Sequence, residues 1–336
     1  MLFALFYFIT CNSITFRNYE YLSQSIFTKE MNGKKNITDV FIENISIIGF
    51  LAFYRCSNLT SISFHEPLIL TKIEEGAFQE CKELKSITIP SSVKIIEKQA
   101  FLGCSSLTII SFQESSLITT IGQCVFEECK QLKSILIPSS VQTIKTCAFC
   151  RCLSLIIILF QEPSNLIEIE LSAFQECEEL KTIRIPSSVK IIGIQAFFRC
   201  SNLTIISFQE PSNLIEIGFS TFKECKKLKS IVIPSSVKII GIQAFLGCSN
   251  LIIISFQEQS IITTIDWCVF AECKKLKFIL IPSSVQIIRR EAFYQCSSLT
   301  SISFQEPSNL KEIGRYAFGE CKKLKSSSFP SFIKKK

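Results

Sequence analysis

The sequence holds one histidine, one tryptophan and two methionines in 336 residues, and its only aspartates are Asp39 and Asp266. Hydrolytic, redox and phosphoryl-transfer sites draw heavily on His and Asp, so this inventory excludes most catalytic constellations. There is no glycine-rich phosphate loop, no Ser–His pairing, and no carboxylate pair outside glutamates that recur with the repeat described below. The chain therefore reads as a non-enzyme that needs no cofactor and no metal. Glycine is scarce, at 11 residues, which rules out a collagen-like or linker-rich chain. No stretch approaches the roughly 18 apolar residues of a membrane-spanning helix. The net charge is only +7, and aromatics do not interleave with the basic residues, so nucleic acid is not an expected partner.

What is abundant is equally specific. Apolar residues make up 47% of the chain, with 30 phenylalanines and 17 cysteines. Their positions are periodic. Ile-Pro-Ser-Ser-Val recurs with its proline at Pro90, Pro138, Pro186, Pro234 and Pro282, a step of 48 residues, and a decayed copy carries Pro330. Gln-Glu-Pro-Ser-Asn places Pro163, Pro211 and Pro307 between those copies. Each period splits into two halves marked by Cys56, Cys81, Cys104, Cys129, Cys152, Cys177, Cys200, Cys225, Cys248, Cys273, Cys296 and Cys321, in alternating steps of 25 and 23 residues. A phenylalanine stands three residues before every one of these cysteines, and a leucine three residues after.

Leu-x-x-Ile-x-Ile ends in period-2 alternation rich in β-branched residues, which predicts a short strand. Pro or Gln-Glu-Pro then stops the strand and turns the chain. Ala-Phe-x-x-Cys is too short for an independent helix and is expected to form one helical or 3-10 turn on the return path. One such unit cannot enclose its own apolar side chains, so neighbours must stack to bury them. The expected fold is an α/β-type repeat solenoid: a parallel sheet on the concave face, short helical or 3-10 turns on the convex side.

Ile185 to Phe208 reads Ile-Pro-Ser-Ser-Val-Lys-Ile-Ile-Gly-Ile-Gln-Ala-Phe-Phe-Arg-Cys-Ser-Asn-Leu-Thr-Ile-Ile-Ser-Phe. This unit resembles the BspA-like, or Treponema pallidum-type, leucine-rich repeat over residues 45–329. Ser-Ser-Val stands where better-known leucine-rich repeats carry a buried asparagine, a departure that belongs to the class. The resemblance implies a surface-exposed or secreted, adhesin-like protein that binds a macromolecular partner, protein or glycan, such as a host extracellular-matrix protein. An intracellular protein–protein scaffold is the alternative.

About twelve units of 23 or 25 residues fill 45–329, preceded by a candidate signal peptide at 1–13 and an irregular cap at 14–44, and followed by a basic tail at 330–336. The signal-like run has no lysine or arginine before it, so a buried first strand is its alternative. The repeat cysteines are expected to stack as buried thiols packing like small apolar groups. Five others, Cys11, Cys124, Cys147, Cys150 and Cys268, fall outside that ladder, and Cys124 and Cys147, which hold one repeat position in adjacent units, are the one plausible cross-link. Cys147, Cys150 and Cys152 form Cys-x-x-Cys-x-Cys, but Cys152 points inward and no histidine is near, so zinc is not expected.

A partner would meet the residues that point outward from the concave sheet. The apolar ones among them are Ile157, Leu159, Ile205, Val232, Ile253, Phe278 and Leu280, with Arg184 among them, flanked by units that carry Ser and Thr instead. A lysine follows the core leucine in every second unit, at Lys85, Lys133, Lys181, Lys229, Lys277 and Lys325. Recurring every two strands, these form a basic row with a spacing of about 10 Å, either a solvated face or a meeting place for acidic partners.

Overall fold

The computed structural model describes residues 13–31 and 37–325. Of the candidate signal only Ser13 is included; Asn36 and the serine-rich end with its basic tail, 326–336, also lie outside the described residues. The chain forms two compact units, Met1–Ser164 and Asn165–Lys336. Both are parallel-strand solenoids in which strands follow chain order. The first contributes Ser13–Arg17, Asp39–Glu43, Ser61–His65, Ser86–Ile89, Ile109–Phe112, Ser134–Ile137 and Ile157–Phe160 to its main sheet. The second contributes Thr182–Ile185, Ile205–Phe208, Ser230–Ile233, Ile253–Phe256, Phe278–Ile281 and Ser301–Phe304. Two-residue strands, such as Ile191–Ile192, Glu216–Ile217 and Ile239–Ile240, form a second narrow ladder along the flank.

The two step lengths have different consequences for pairing. Where 23 residues separate equivalent positions, four residues pair, as in Thr182–Ile185 against Ile205–Phe208. Where the step is 25, only the first residue pairs, as in Ile205 opposite Ser230 and Ile253 opposite Phe278. The strands beyond that residue part. The glutamine of Gln-Glu-Pro ties the turns together: Gln209 Oε1 accepts from the Ser187 N–H at 3.3 Å and Gln305 Oε1 from the Ser283 N–H at 3.3 Å, one coil back in each case. His65 replaces that glutamine in its coil and instead ends its strand with its ring edge-on to Phe41.

The return path is not the helical or 3-10 turn expected from its sequence. In the coil of Cys177, the N–H groups of Ala173, Gln175 and Cys177 donate to carbonyls three residues back, while those of Ser172, Phe174 and Glu176 donate to Ile194, Ala196 and Phe198 of the next coil. A 3-10 helix would use every N–H internally. Two left-handed residues per coil, five and one before the ladder cysteine, turn alternate N–H groups outward. Ser172 (φ 54°) and Glu176 (φ 58°) are examples, and glycine occupies such positions only at Gly76, Gly103 and Gly247. Left-handed backbone costs an L-residue about 1–2 kcal/mol, and a full set of inter-coil hydrogen bonds offsets it.

Inside, the phenylalanines from Phe53 to Phe293 are fully buried. Their rings stack one per coil, with centroids 5.3 Å apart for Phe174–Phe197 and 5.4 Å for Phe197–Phe222. Ladder thiols donate to the carbonyl of the phenylalanine one coil back, as Cys200 Sγ does to Phe174 O at 3.2 Å and Cys225 Sγ to Phe197 O at 3.2 Å. These cysteines are free and, apart from partly exposed Cys56, buried. Burial pushes the Cys56 thiol up to about 12 and holds Cys81, Cys129, Cys225 and Cys273 well above the ordinary thiol value.

The segment 14–44, expected to be an irregular cap, joins the sheet. Ile14 and Phe16 alternate inward along the first strand, Val40 and Ile42 along the second. Phe16 closes the aromatic column, edge-on to Phe53 at 6.1 Å. The helix Gln24–Met31 lies between these strands, its first turn capped by Ser23 Oγ, which accepts from the Ile26 N–H.

Two outcomes follow from this packing. Phe197→Ala removes a ring from the middle of a stack and should lower stability by about 3–5 kcal/mol, read as a shift in urea midpoint at unchanged far-UV signal. The buried thiols add a pH dependence. An unfolded thiol titrates at about 8.5, below its folded value, so above that pH the native state retains protons that the unfolded chain has lost. Stability should be full below about pH 8 and fall as pH rises past about 8.5. A urea midpoint that stays constant from pH 7 to 9.5 would contradict the protonated ladder.

Candidate functional site

Along each main strand the central isoleucine points into the core, and its neighbours point to solvent. In the second unit Ile206, Ile231, Ile254 and Ile279 are buried, whereas Ile205, Val232, Ile253, Phe278 and Leu280 are exposed by 45–56% of their surface. Arg184 is exposed on the first strand of that unit. In the first unit Leu159 is exposed and Ile157 half-buried. Two further residues extend that side of the first unit, Ile109 and Leu136, both about half exposed. They occupy the same repeat positions as the other outward residues, so a coil-by-coil reading of those positions identifies them.

The exposed apolar residues of the second unit are not evenly distributed. Ser230 stands between Ile205 and Ile253 across the strands, and Ser255 lies opposite Val232. Ile252, Ile253, Phe278 and Leu280 gather on two neighbouring coils, where the step is 25 residues and only Ile253 and Phe278 pair. The parting strands open a groove of about 540 Å³, lined by Ile253, Ser255, Lys277, Phe278, Leu280, Pro282 and Gln305 among others. Ile252 is the contributor that the outward-strand pattern misses. It sits at the position that carries lysine in alternate coils and threonine in most of the others, with Ile156 its counterpart in the first unit.

All six lysines of the row are exposed, and among the described residues none forms an ion pair. Their alternation has a backbone cause. The coil after each of several lysines carries threonine, whose Oγ1 donates to the lysine carbonyl: Thr108 to Lys85 at 3.0 Å, Thr204 to Lys181 at 2.9 Å, Thr300 to Lys277 at 3.0 Å. Lys277 is the member that also lines the groove, which gives an apolar cleft a cationic rim. The acidic partners of other lysines lie near the turn path, as in Lys226–Glu224 at 3.3 Å and Lys82–Glu80 at 3.2 Å.

Among the described residues no helix is long and apolar enough to cross a membrane. The chain matches the family described as BspA type leucine rich repeat region, present in six copies, over residues 24–156, 119–252, 167–300 and 215–335. Among solved structures it is similar to a leucine-rich repeat protein from Bacteroides ovatus ATCC 8483, at 25% identity and a TM-score of 0.70, covering 96% of this chain and 92% of that one. A leucine-rich repeat protein from Eubacterium ventriosum ATCC 27560 shares the fold at 22% identity and a TM-score of 0.52, covering 97% and 94%. No curated protein matches the chain.

Because Lys229 and Lys277 carry no structural ion pair, reversing both (Lys229→Glu, Lys277→Glu) should change stability by less than about 1 kcal/mol. A thermal melt compares them; a larger loss would show that the row serves the fold.

Proposed function

This chain belongs to the BspA-type leucine-rich repeat family, and on that premise we propose that it is a non-enzymatic binding protein, surface-exposed or secreted, which engages a protein partner through the outward face of its main sheet. The observation that carries this reading is the apolar groove between the strands Ile253–Phe256 and Phe278–Ile281. Large apolar side chains at half exposure are costly to leave in water, and here they cluster on a sheet face beside coils that carry Ser230, Ser301 and Ser303. An aromatic centre at Phe278, an aliphatic surround and a charged rim at Lys277 have the anatomy of a protein-binding patch. A partner with an apolar side chain to insert and a carboxylate to meet Lys277 fits this cleft, and extracellular-matrix proteins are the class that the family resemblance implies. Glycan ligands would engage the lysine row rather than the groove.

An intracellular scaffold acting through the same face is the second reading. It is favoured by the ladder of free, buried thiols, which suits a reducing compartment as well as it suits packing.

Changing Ile157, Ile205 and Phe278 together to glutamate should weaken binding to immobilised extracellular-matrix proteins by at least about tenfold, or 1.4 kcal/mol, with the circular dichroism unchanged. Undiminished binding would remove the sheet face from consideration. Protease shaving of intact source cells tests the location: repeat peptides should be released, and their complete retention would favour the scaffold.

A further inference from the structure

Three cysteines stand outside the thiol ladder on the turn path of the first unit. Five residues before the ladder cysteine, most other coils carry glycine, glutamine or serine, such as Gly76, Gln99, Ser172 and Gln195, while two adjacent coils carry Cys124 and Cys147. Cys150 follows in the second of them. The Cys150 N–H donates to the Cys147 carbonyl at 3.1 Å, so these two cysteines occupy the ends of one closed turn. The neighbouring coil is fixed against them by the Cys124 N–H on Thr146 O at 3.0 Å and by Phe126 stacked on Phe149 at 5.3 Å. Cys147 is left-handed at φ 56° and half-exposed, whereas Cys150 and Cys124 are buried.

The sulfurs are arranged unequally. The thiol of Cys150 hydrogen-bonds to the Cys147 sulfur, the thiol of Cys124 does so from the preceding coil, and the Arg151 guanidinium adds positive charge; against burial and the Glu127 carboxylate, which push the other way, they bring Cys147 down to about 7. Burial, reinforced by a hydrogen bond to Glu127, moves Cys124 upward instead. Cys268 occupies the same repeat position in the second unit, also half-exposed, with its sulfur 3.6 Å from a Glu291 carboxylate oxygen. Burial and that carboxylate raise it. One position thus provides both an activated thiol and an internal reference. Among the described residues no group of three or more His, Cys, Asp or Glu side chains is placed to hold a metal ion.

We propose that Cys147 and Cys150 form a thiol–disulfide exchange centre on the turn face, with Cys147 the attacking sulfur, Cys150 the resolving sulfur, and a small aliphatic disulfide as the oxidant. The Cys147 thiolate attacks one sulfur of RS–SR, forms a Cys147–S–S–R bond and expels one RS⁻, which takes the proton that Cys147 gave up. The Cys150 thiol then loses its proton and attacks Cys147 Sγ. This breaks the mixed bond and expels the second RS⁻, which is protonated in turn. Two protein thiols are oxidised to one disulfide, and one small disulfide is reduced to two thiols. Reaction follows thiolate character and access, which among these three cysteines favours Cys147 as the attacker.

Geometry selects the resolving partner. The ends of a closed turn lie within about 7 Å between Cα atoms, a reach that a disulfide bridges. Cys124 stands in the same register one coil away, so its Cβ is displaced by about a full strand spacing of 4.8 Å. The Cα atoms of such a pair are also within disulfide reach, but side chains projecting in parallel from adjacent coils meet the S–S torsion poorly. The centre is independent of the partner-binding face.

The test uses the full, reduced chain. Limited alkylation with N-ethylmaleimide at pH 7, followed by peptide mass spectrometry, should label Cys147 at least about tenfold faster than Cys268, in line with its greater thiolate fraction. Incubation with glutathione disulfide should then yield a Cys147–Cys150 disulfide. Cys150→Ala, with alanine native at the equivalent Ala271, should trap glutathione on Cys147; Cys147→Ser, with serine native at Ser172 and Ser220, should abolish both products. Equal labelling of Cys147 and Cys268 would overturn the proposal. So would a Cys124–Cys147 link, or a mixed disulfide that persists in the unaltered chain.

Discussion

Half of the N–H groups on each turn path have no acceptor within their own coil. Ser172, Phe174 and Glu176 illustrate the rule: their hydrogen bonds end on the next coil, while the alternate residues close local turns. An unpaired N–H in this packed setting costs about 1–3 kcal/mol, so no coil is stable without its neighbour. The same stacking lets a phenylalanine find another ring at 5.0–5.5 Å and brings a cysteine thiol to the carbonyl one coil back. Backbone pairing on one side, aromatic stacking and thiol donation inside, and strand pairing on the other side all share one spacing. Stability in such an array is a sum over neighbouring contacts rather than the property of a single core.

The two-residue difference between steps breaks this uniformity where function needs it. A sheet paired over four residues at every joint would present a continuous outer surface. Pairing at a single residue lets Ile253–Phe256 and Phe278–Ile281 part, and the groove between them exposes apolar side chains that a regular sheet would press together. Other wide joints, such as Ile205 against Ser230, have the same pairing, but serines at positions 207 and 230 leave less apolar surface there. The cleft therefore needs both the long turn and large apolar residues on the two strands that it separates. On the turn side the divergence is chemical: equivalent left-handed positions carry Ser172, Gln195, Cys147 or Cys268.

The repeat phase alone specified much of this protein. Phe, Cys and Leu at fixed offsets, with Ile-x-Ile and a proline turn, already imply parallel strands, inward columns and outward-facing Ile205, Val232, Ile253, Phe278 and Leu280, because side-chain direction follows directly from strand alternation. The lysine row was equally legible, being a consequence of the 48-residue period. Three things were decided only by tertiary structure. The return path resembled a 3-10 turn because local propensity cannot register acceptors supplied by another coil. Residues 14–44 looked irregular because their alternating Ile14, Phe16, Val40 and Ile42 lack the repeat motif, yet a sheet edge that needs partners recruits them. The groove, and the convergence of Cys124, Cys147 and Cys150, depend on where strands part and coils meet, distances between chain segments that no local pattern encodes.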